Sequence, residues 1–256
     1  MRDKRAATAS FVDTPYGFRL AGNRSMAEGD FEREEIDVFL KYLGKVSACV
    51  DIGANIGLYT CLVAAQGKKV IAVEPLNRNL EVLYRNLVGN SFLDVEVFPF
   101  GLSGAPGVKR LYGDNTGASF VPGWAGASDR WYEVVPVNTL DLIVNTRFDG
   151  QPLLIKMDVE GFEYKVLGGA ARTLKISPKP VWLVENNLGE NFPGGRNENF
   201  QKTFELFWQE GYEVRTANRE ERVIRPIDVE RWVQQSRVDF GSHNFLFVHH
   251  TLSNRS

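Results

Sequence analysis

Two hydrophobic periods alternate along the middle of the chain. Val46–Asp51 and Lys69–Glu74 are short, nearly continuous apolar runs, whereas Leu58–Ala65 and Asn77–Val88 space their apolar residues three and four apart, as in Leu80, Leu83, Tyr84 and Leu87. The first kind reads as buried strands and the second as helices packed by one face. With Val95–Phe98 as a third strand, this order predicts a parallel sheet with right-handed crossovers. The pattern breaks between Leu102 and Pro152. There Val108–Tyr112 and Trp131–Val137 read as an antiparallel decoration around the Gly-rich loop 113–119, followed by a short helix over Thr139–Asn145 with Asn138 or Thr139 as its cap. It resumes with a strand over Pro152–Met157, a helix over Phe162–Leu167 and a strand over Pro180–Val184. An amphipathic helix over Phe200–Gln209 and strands over Tyr212–Arg215 and Phe245–His249 close the chain.

Ahead of the alternating region, Phe11–Leu20 reads as a hairpin around Pro15 and Gly17. Ile36, Phe39, Leu40 and Leu43 make one apolar helix face, with Asp30 as the expected N-cap and Gly44 as the stop. The expected organisation is an N-terminal hairpin and helix over 1–45 packing on one main domain. That domain covers 46–250, with an insertion at about 103–150 and a tail over 251–256.

Composition narrows the field. At 256 residues and 43% hydrophobic, the chain carries enough apolar material for a sizeable core and too much for a disordered one. A net charge of −2 offers no basic surface to track phosphates, so no nucleic-acid partner is expected. Cys49 and Cys61 sit in apolar surroundings and read as buried, reduced thiols. The basic start MRDKRAATASFVD lacks the apolar stretch of a secretory signal, and no apolar run approaches the roughly 20 residues that span a bilayer. A cytoplasmic location and no membrane association are expected.

The chemistry begins where the first strand ends, in Asp51-Ile52-Gly53-Ala54-Asn55-Ile56-Gly57. Glycines at 53 and 57 permit backbone torsions and close approaches that a side chain would block. The following helix start can line a polar or charged ligand. Asp51 stands at the carboxyl end of a strand, where open α/β sheets bind ligands, and its carboxylate suits a cationic amino group. The next strand ends in Ala72-Val73-Glu74-Pro75, which puts Glu74 at the spacing where an acid reaches ribose hydroxyls. A nicotinamide site would use the same acid, but its loop would read Gly-x-Gly-x-x-Gly, and Asn55 departs from that.

Val50–Thr60 resembles the first motif of the FkbM-type methyltransferases. The resemblance continues through Ala72–Pro75, Gly101–Ser103, Gly117–Ser119, Val137–Asp141 and, most specifically, Ile155–Glu163, in family order over roughly residues 46–185. It implies S-adenosylmethionine as cofactor and the Rossmann-like α/β fold of class I methyltransferases. That fold has a seven-stranded, mostly parallel sheet with an antiparallel last strand, here with a small antiparallel insertion between the third and fourth strands. It also implies O-methylation of a hydroxyl on a small molecule such as a sugar, polyketide or other specialised metabolite. Asp51, Gly53, Ala54, Asn55 and Gly57 would then surround the methionine part, and Glu74 the ribose. Gly101 and Leu102 would lie near the adenine, and Asp158 at the cofactor's edge. Gly101 stands where alanine is the commoner family residue.

Methyl transfer from a sulfonium is an in-line displacement, so the protein must align the acceptor and take a hydroxyl's proton. Asp158 ends the fourth parallel strand and faces the same crevice as Asp51 and Glu74; with Glu160 and Glu185 it makes the candidate catalytic set. Glu160 and Glu163 read equally as caps that complement the next helix. Lys156, two positions earlier on the same strand face, is placed to orient Asp158 by an ion pair. Asp158, Glu185 and Asn186 also form an oxygen set that suits Mg2+, similar to the arrangement in catechol-type methyltransferases. Metal-free base catalysis by Asp158 or Glu185 is the preferred reading.

His243 and the aromatics Trp124, Trp131 and Tyr132 are further candidates for the acceptor side, with loop 186–199 as a lid. Three competing readings each meet an obstacle. Asn55 stands against a nicotinamide-dependent oxidoreductase, and the acidic constellation at 158, 160 and 185 against a non-catalytic cofactor-binding protein. The lack of a basic excess stands against an RNA methyltransferase.

Overall fold

The computed structural model describes residues 9–113 and 116–249. The hairpin β1 (Val12–Asp13) and β2 (Arg19–Leu20) is followed by helices α1 (Arg24–Glu28) and α2 (Arg33–Leu43). Then come β3 (Ala48–Ile52), α3 (Leu58–Ala65), β4 (Lys69–Val73), α4 (Asn77–Gly89) and β5 (Glu96–Phe98). The insertion holds β6 (Gly101–Leu102), β7 (Gly107–Tyr112), β8 (Tyr132–Asn138) and α5 (Leu140–Val144). The chain continues through β9 (Leu153–Met157), α6 (Glu163–Leu167), β10 (Val181–Glu185) and α7 (Phe200–Gln209). It closes with β11 (Glu213–Thr216), β12 (Val223–Ile224), α8 (Pro226–Gln235) and β13 (Asn244–Val248).

The central sheet runs β12-β11-β13-β10-β9-β3-β4-β5. Pairing is parallel from β10 through β5, and β13 is antiparallel to both β10 and β11. The expectation of seven strands is therefore corrected to eight. The extra edge strand is only Val223–Ile224, too short to show a period, and it forms because β11 offers an open edge. The insertion is corrected too: β7 and β8 pair antiparallel as expected, but Gly101–Leu102 adds a parallel strand to β8, making a mixed three-stranded sheet.

Two helices escaped the pattern. Asn23 caps α1 by accepting the Met26 N–H, and Gly29 ends it in the left-handed region. In α8, Pro226 opens the helix and the Asp228 carboxylate accepts the Arg225 N–H. The cap expected of Asp30 is not made; Glu32 takes that position at φ 44° without a side-chain capping bond. Thr139 does cap α5, accepting from Leu142 N–H.

Both faces of the sheet are covered, which is why its strands read as continuous apolar runs. Cys49, Leu154, Leu183 and Leu246 pack under α2, α3 and α4. Val50, Ile155, Trp182, Val184 and Phe247 pack on the other face under α5 to α8. Cys49 and Cys61 are buried and free of any disulfide. Because strand side chains alternate, the α2/α3 face continues at the carboxyl end of the sheet as Asp51 on β3, Lys156 on β9 with Asp158 just past its end, Glu185 on β10 and Asn244 at the start of antiparallel β13. The apolar layer turns polar at one end, and that end is the candidate site. No helix among the described residues is long and apolar enough to cross a membrane.

Candidate functional site

A cleft opens where β3, β4 and β9 end. The backbone N–H groups of Gly53 and Ala54 both donate to the Val73 carbonyl, at 2.9 and 3.0 Å, drawing the loop onto the end of β4. Glu74, buried, clamps the other side: its Oε2 accepts from Asn55 N–H at 2.8 Å and its Oε1 from Leu76 N–H at 2.9 Å. Burial pushes the Glu74 carboxyl up to about 7 against the lowering effect of those two bonds. Gly53, Asn55, Glu74, Gly101, Leu102, Asp158 and Glu160 all line this cleft, with Thr116 and Phe120 of the insertion opposite.

Three expected cofactor residues lie outside its lining. Asp51 is buried, with Oδ2 accepting from the Thr60 hydroxyl at 2.5 Å; burial raises its carboxyl to about 6 while that bond opposes the shift. Ala54 packs in the apolar core with Leu83. Gly57 opens α3 at φ 93°, where a Cβ would run into the Leu83 side chain. These residues shape the loop from behind instead of facing the cleft.

Asp158 and Glu160 are set by a sharp turn after β9. Asp158 N–H donates to the Ile52 carbonyl at 2.9 Å, tying the ends of β9 and β3 together. Glu160 has φ 54° and accepts from Trp124 Nε1 at 2.9 Å, while its carbonyl accepts from the Ser119 hydroxyl at 2.5 Å. Glu163, fully buried, accepts from the N–H groups of Gly161 at 3.0 Å and Val159 at 3.3 Å and so holds the turn closed. Trp124 is buried as the partner of Glu160, and Trp131 is 78% exposed.

Burial, then the Asp158 charge, raises the Glu160 carboxyl to about 8, with the Trp124 bond opposing. The folded protein thus holds a proton that an unfolded carboxyl releases at ordinary carboxylate pH, and it loses stability as pH rises toward 8. Glu160→Gln is expected to match the unliganded wild type near about pH 5 and to exceed it by about 1 kcal/mol, roughly 2–4 °C in Tm, near about pH 8.5. Thermal denaturation across that range checks it; a gap that fails to widen with pH contradicts the assignment.

The acidic rim contains a residue the sequence did not flag. Carboxylate oxygens of Glu32, Asp158 and Glu185 lie within 4.8 Å of one another. Glu32 reaches in from the start of α2, its Oε2 accepting from the Tyr59 hydroxyl at 2.7 Å. No local signal marks it, since it comes from an N-terminal helix and only tertiary packing brings it there. Beside Asp158 lies Lys156, 1% exposed, its Nζ 3.6 Å from Asp158 Oδ2 and 3.3 Å from Asn244 Oδ1. Burial opposes its charge, but Asp158, Glu32 and Glu185 outweigh it and raise the ammonium above the ordinary lysine range. The Asp158 charge, followed by burial, pushes the Glu185 carboxyl well up.

The expected magnesium set does not form. Asn186 follows Glu185 on the opposite face, and its amide donates to the Phe200 carbonyl at 3.1 Å and accepts from Asn197. Of the other two, Asp158 already pairs with the Lys156 ammonium at 3.6 Å, a fixed cation that competes with a divalent ion for that oxygen. His243 pairs with Glu190 at 2.9 Å and lines a groove with the 187–198 loop region. His250, the tail over 251–256, and Asp114 and Asn115 of the Gly-rich loop lie outside the described residues.

The cleft does suit S-adenosylmethionine. Two acceptors at its edge, Asn55 Oδ1 and Asp158 Oδ1, are buried without a hydrogen-bond partner among the described residues. At Gly101 an added Cβ would meet the end of the Phe120 ring, so a larger residue there would have to displace that ring. An acid-rich cleft with unpaired acceptors matches a ligand that carries hydroxyls, an ammonium and a sulfonium.

The methyltransferase FkbM domain profile matches residues 51–214, most of the chain. The chain therefore belongs to the FkbM methyltransferase family, and with it to the S-adenosylmethionine-dependent methyltransferases. It is 37% identical over 102 residues to the AMB antimetabolite synthetase AmbE of Pseudomonas aeruginosa, a match covering 37% of this chain and 5% of that protein. Its fold is similar to that of an O-methyltransferase from Bacillus cereus solved in complex with SAH (TM-score 0.46, 13% identity, 84% of this chain and 79% of that one). It is also similar to a precorrin-6y C5,15-methyltransferase from Geobacter metallireducens (TM-score 0.42, 11% identity, 83% and 88%).

Proposed function

We propose that the chain is an O-methyltransferase acting on a hydroxyl of a small molecule, a sugar or specialised metabolite, with Asp158 as the base. One observation carries this reading: Asp158 lines the cleft with an unpaired, buried Oδ1, while its other oxygen faces Lys156. A carboxylate held this way can receive a hydroxyl proton without reorganising. When bound, S-adenosylmethionine supplies an electrophilic methyl group on sulfur. The chain's own part is then to bind, orient and deprotonate. Glu74 and Asn55 hold the ribose and methionine side, and Gly53, Gly101 and Leu102 let the cofactor lie close to the backbone. Glu160 and Glu185 flank the acceptor side, where their raised pKa values set them to share protons rather than to stand as free charges. The net charge of −2 favours a small acceptor over a nucleic acid.

Calorimetric titration with S-adenosylmethionine and with NAD tests the cofactor, and heat is expected from the first alone. Incubation with S-adenosylmethionine and a panel of sugar, phenol and amine acceptors should then yield S-adenosylhomocysteine and an O-methylated product. Heat from NAD alone, or methylation confined to nitrogen, overturns this reading.

A further inference from the structure

Lys156 is an unusual occupant of a central strand. Its neighbours two residues back and one residue either side are apolar, yet it is 1% exposed with a charged head in the middle of the sheet's polar end. Three groups contact that head. The Tyr59 ring lies 5.1 Å from Nζ, Asn244 Oδ1 lies at 3.3 Å, and Asp158 Oδ2 at 3.6 Å. Tyr59 in turn donates its hydroxyl to Glu32, whose backbone is held at φ 44°, a region that non-glycine residues seldom adopt without a reason. The Glu32 carboxylate joins those of Asp158 and Glu185, and oxygens of the three lie within 4.8 Å of one another. Carboxyl groups gathered so closely must share protons or be offset by a cation, and the fold supplies one from its own strand, 3.6 Å from Asp158.

We propose that Lys156 is a positioning residue: its ammonium, paired with Asp158 and beside Glu32 and Glu185, is the resident cation that offsets this acidic group in a divalent ion's stead, and it turns Oδ1 of Asp158 toward the acceptor hydroxyl. The effect on Asp158 rests on the reading of that residue as base; the resident-cation part does not. A lysine in this role is a fixed charge that needs no loading, and its four-carbon stem is anchored in the core beneath the site.

Titration with Mn2+, followed by paramagnetic resonance of the free ion, tests the first part without any acceptor. Wild type is expected to bind no Mn2+ tighter than about 1 mM, and Lys156→Met at least about tenfold more tightly, because the trio is left without its cation. Adding Glu32→Gln should remove the gain. Micromolar Mn2+ binding by wild type, or no gain in Lys156→Met, overturns the proposal.

The second part is read with a hydroxyl acceptor from the panel above. Lys156→Met should keep its affinity for S-adenosylmethionine within about threefold while kcat falls by about 10²-fold, the size expected when a catalytic group is misplaced. Methylammonium or ethylammonium should restore Lys156→Ala in a saturable way, and ethanol should not. Turnover of Lys156→Met close to wild type, or equal restoration by ethanol, overturns it. If Lys156→Met does not fold, Lys156→Met/Glu185→Gln, which removes one charge of each sign, is compared with Glu185→Gln alone. A further loss of kcat supports the role, and equal turnover overturns it. Undiminished turnover of Asp158→Asn would sink the base assignment while leaving the Mn2+ result standing, so the two failures are distinguishable.

Discussion

Gly53→Ala is expected to abolish cofactor binding and to destabilise the protein by about 3 kcal/mol or more, roughly 6–12 °C in Tm. Two effects add. Gly53 sits at φ 79°, in the region where a Cβ is sterically penalised. The added methyl would also land far inside van der Waals contact of the Asp158 carbonyl oxygen. That oxygen is backbone, and its residue is tied to Ile52, so neither partner can swing aside as a flexible side chain could. Relief requires β3 and β9 to part at the place where the loop, Glu74 and Asp158 meet. Gly67→Ala is the control, since Gly67 has φ 67° with nothing within 4 Å of the added carbon and carries only the torsional penalty. Thermal denaturation and calorimetric titration with S-adenosylmethionine measure both effects. If Gly53→Ala loses no more stability than Gly67→Ala and still binds, the close crossing is not what holds the site.

Asp158→Asn is expected to lower kcat by about 10²–10⁴-fold, the usual contribution of a positioned base. The substitution keeps the shape of the side chain and removes its capacity to take a proton. Affinity for S-adenosylmethionine should change far less, because Glu74, Asn55 and the glycine loop remain in place. Comparing kcat with the calorimetric Kd separates the two. Turnover equal to wild type excludes Asp158 as base and shifts attention to Glu185, which lies on the adjoining strand and the same face.

Much of the fold was legible because its determinants are local. The strands β3, β4, β9 and β10 are buried on both faces, and their apolar runs say so without reference to any partner. The helix α4 shows its three/four spacing directly, and α3 matched its expected bounds. The failures were of two kinds. The short strands β6 and β12 have two residues each, too few to establish a period, and they form only because a neighbour offers an edge. Asp30 carries a capping side chain, but the chain enters α2 through a left-handed Glu32, whose carboxylate accepts from the distant Tyr59 hydroxyl.

For the site, the sequence by itself determined the positions at which strands end and glycines stand. That placed Gly53, Asn55, Glu74 and Asp158 around one crevice, because torsional freedom and strand alternation are properties of a few consecutive residues. Only the tertiary structure decided which way those residues face and what surrounds them. It buried Asp51 behind the loop, turned Asn186 to the opposite face, and brought Glu32 from an N-terminal helix to meet Asp158 and Glu185 around Lys156. Burial and local charge are sums over groups that folding brings together from distant parts of the chain, and no stretch of neighbouring residues contains that sum.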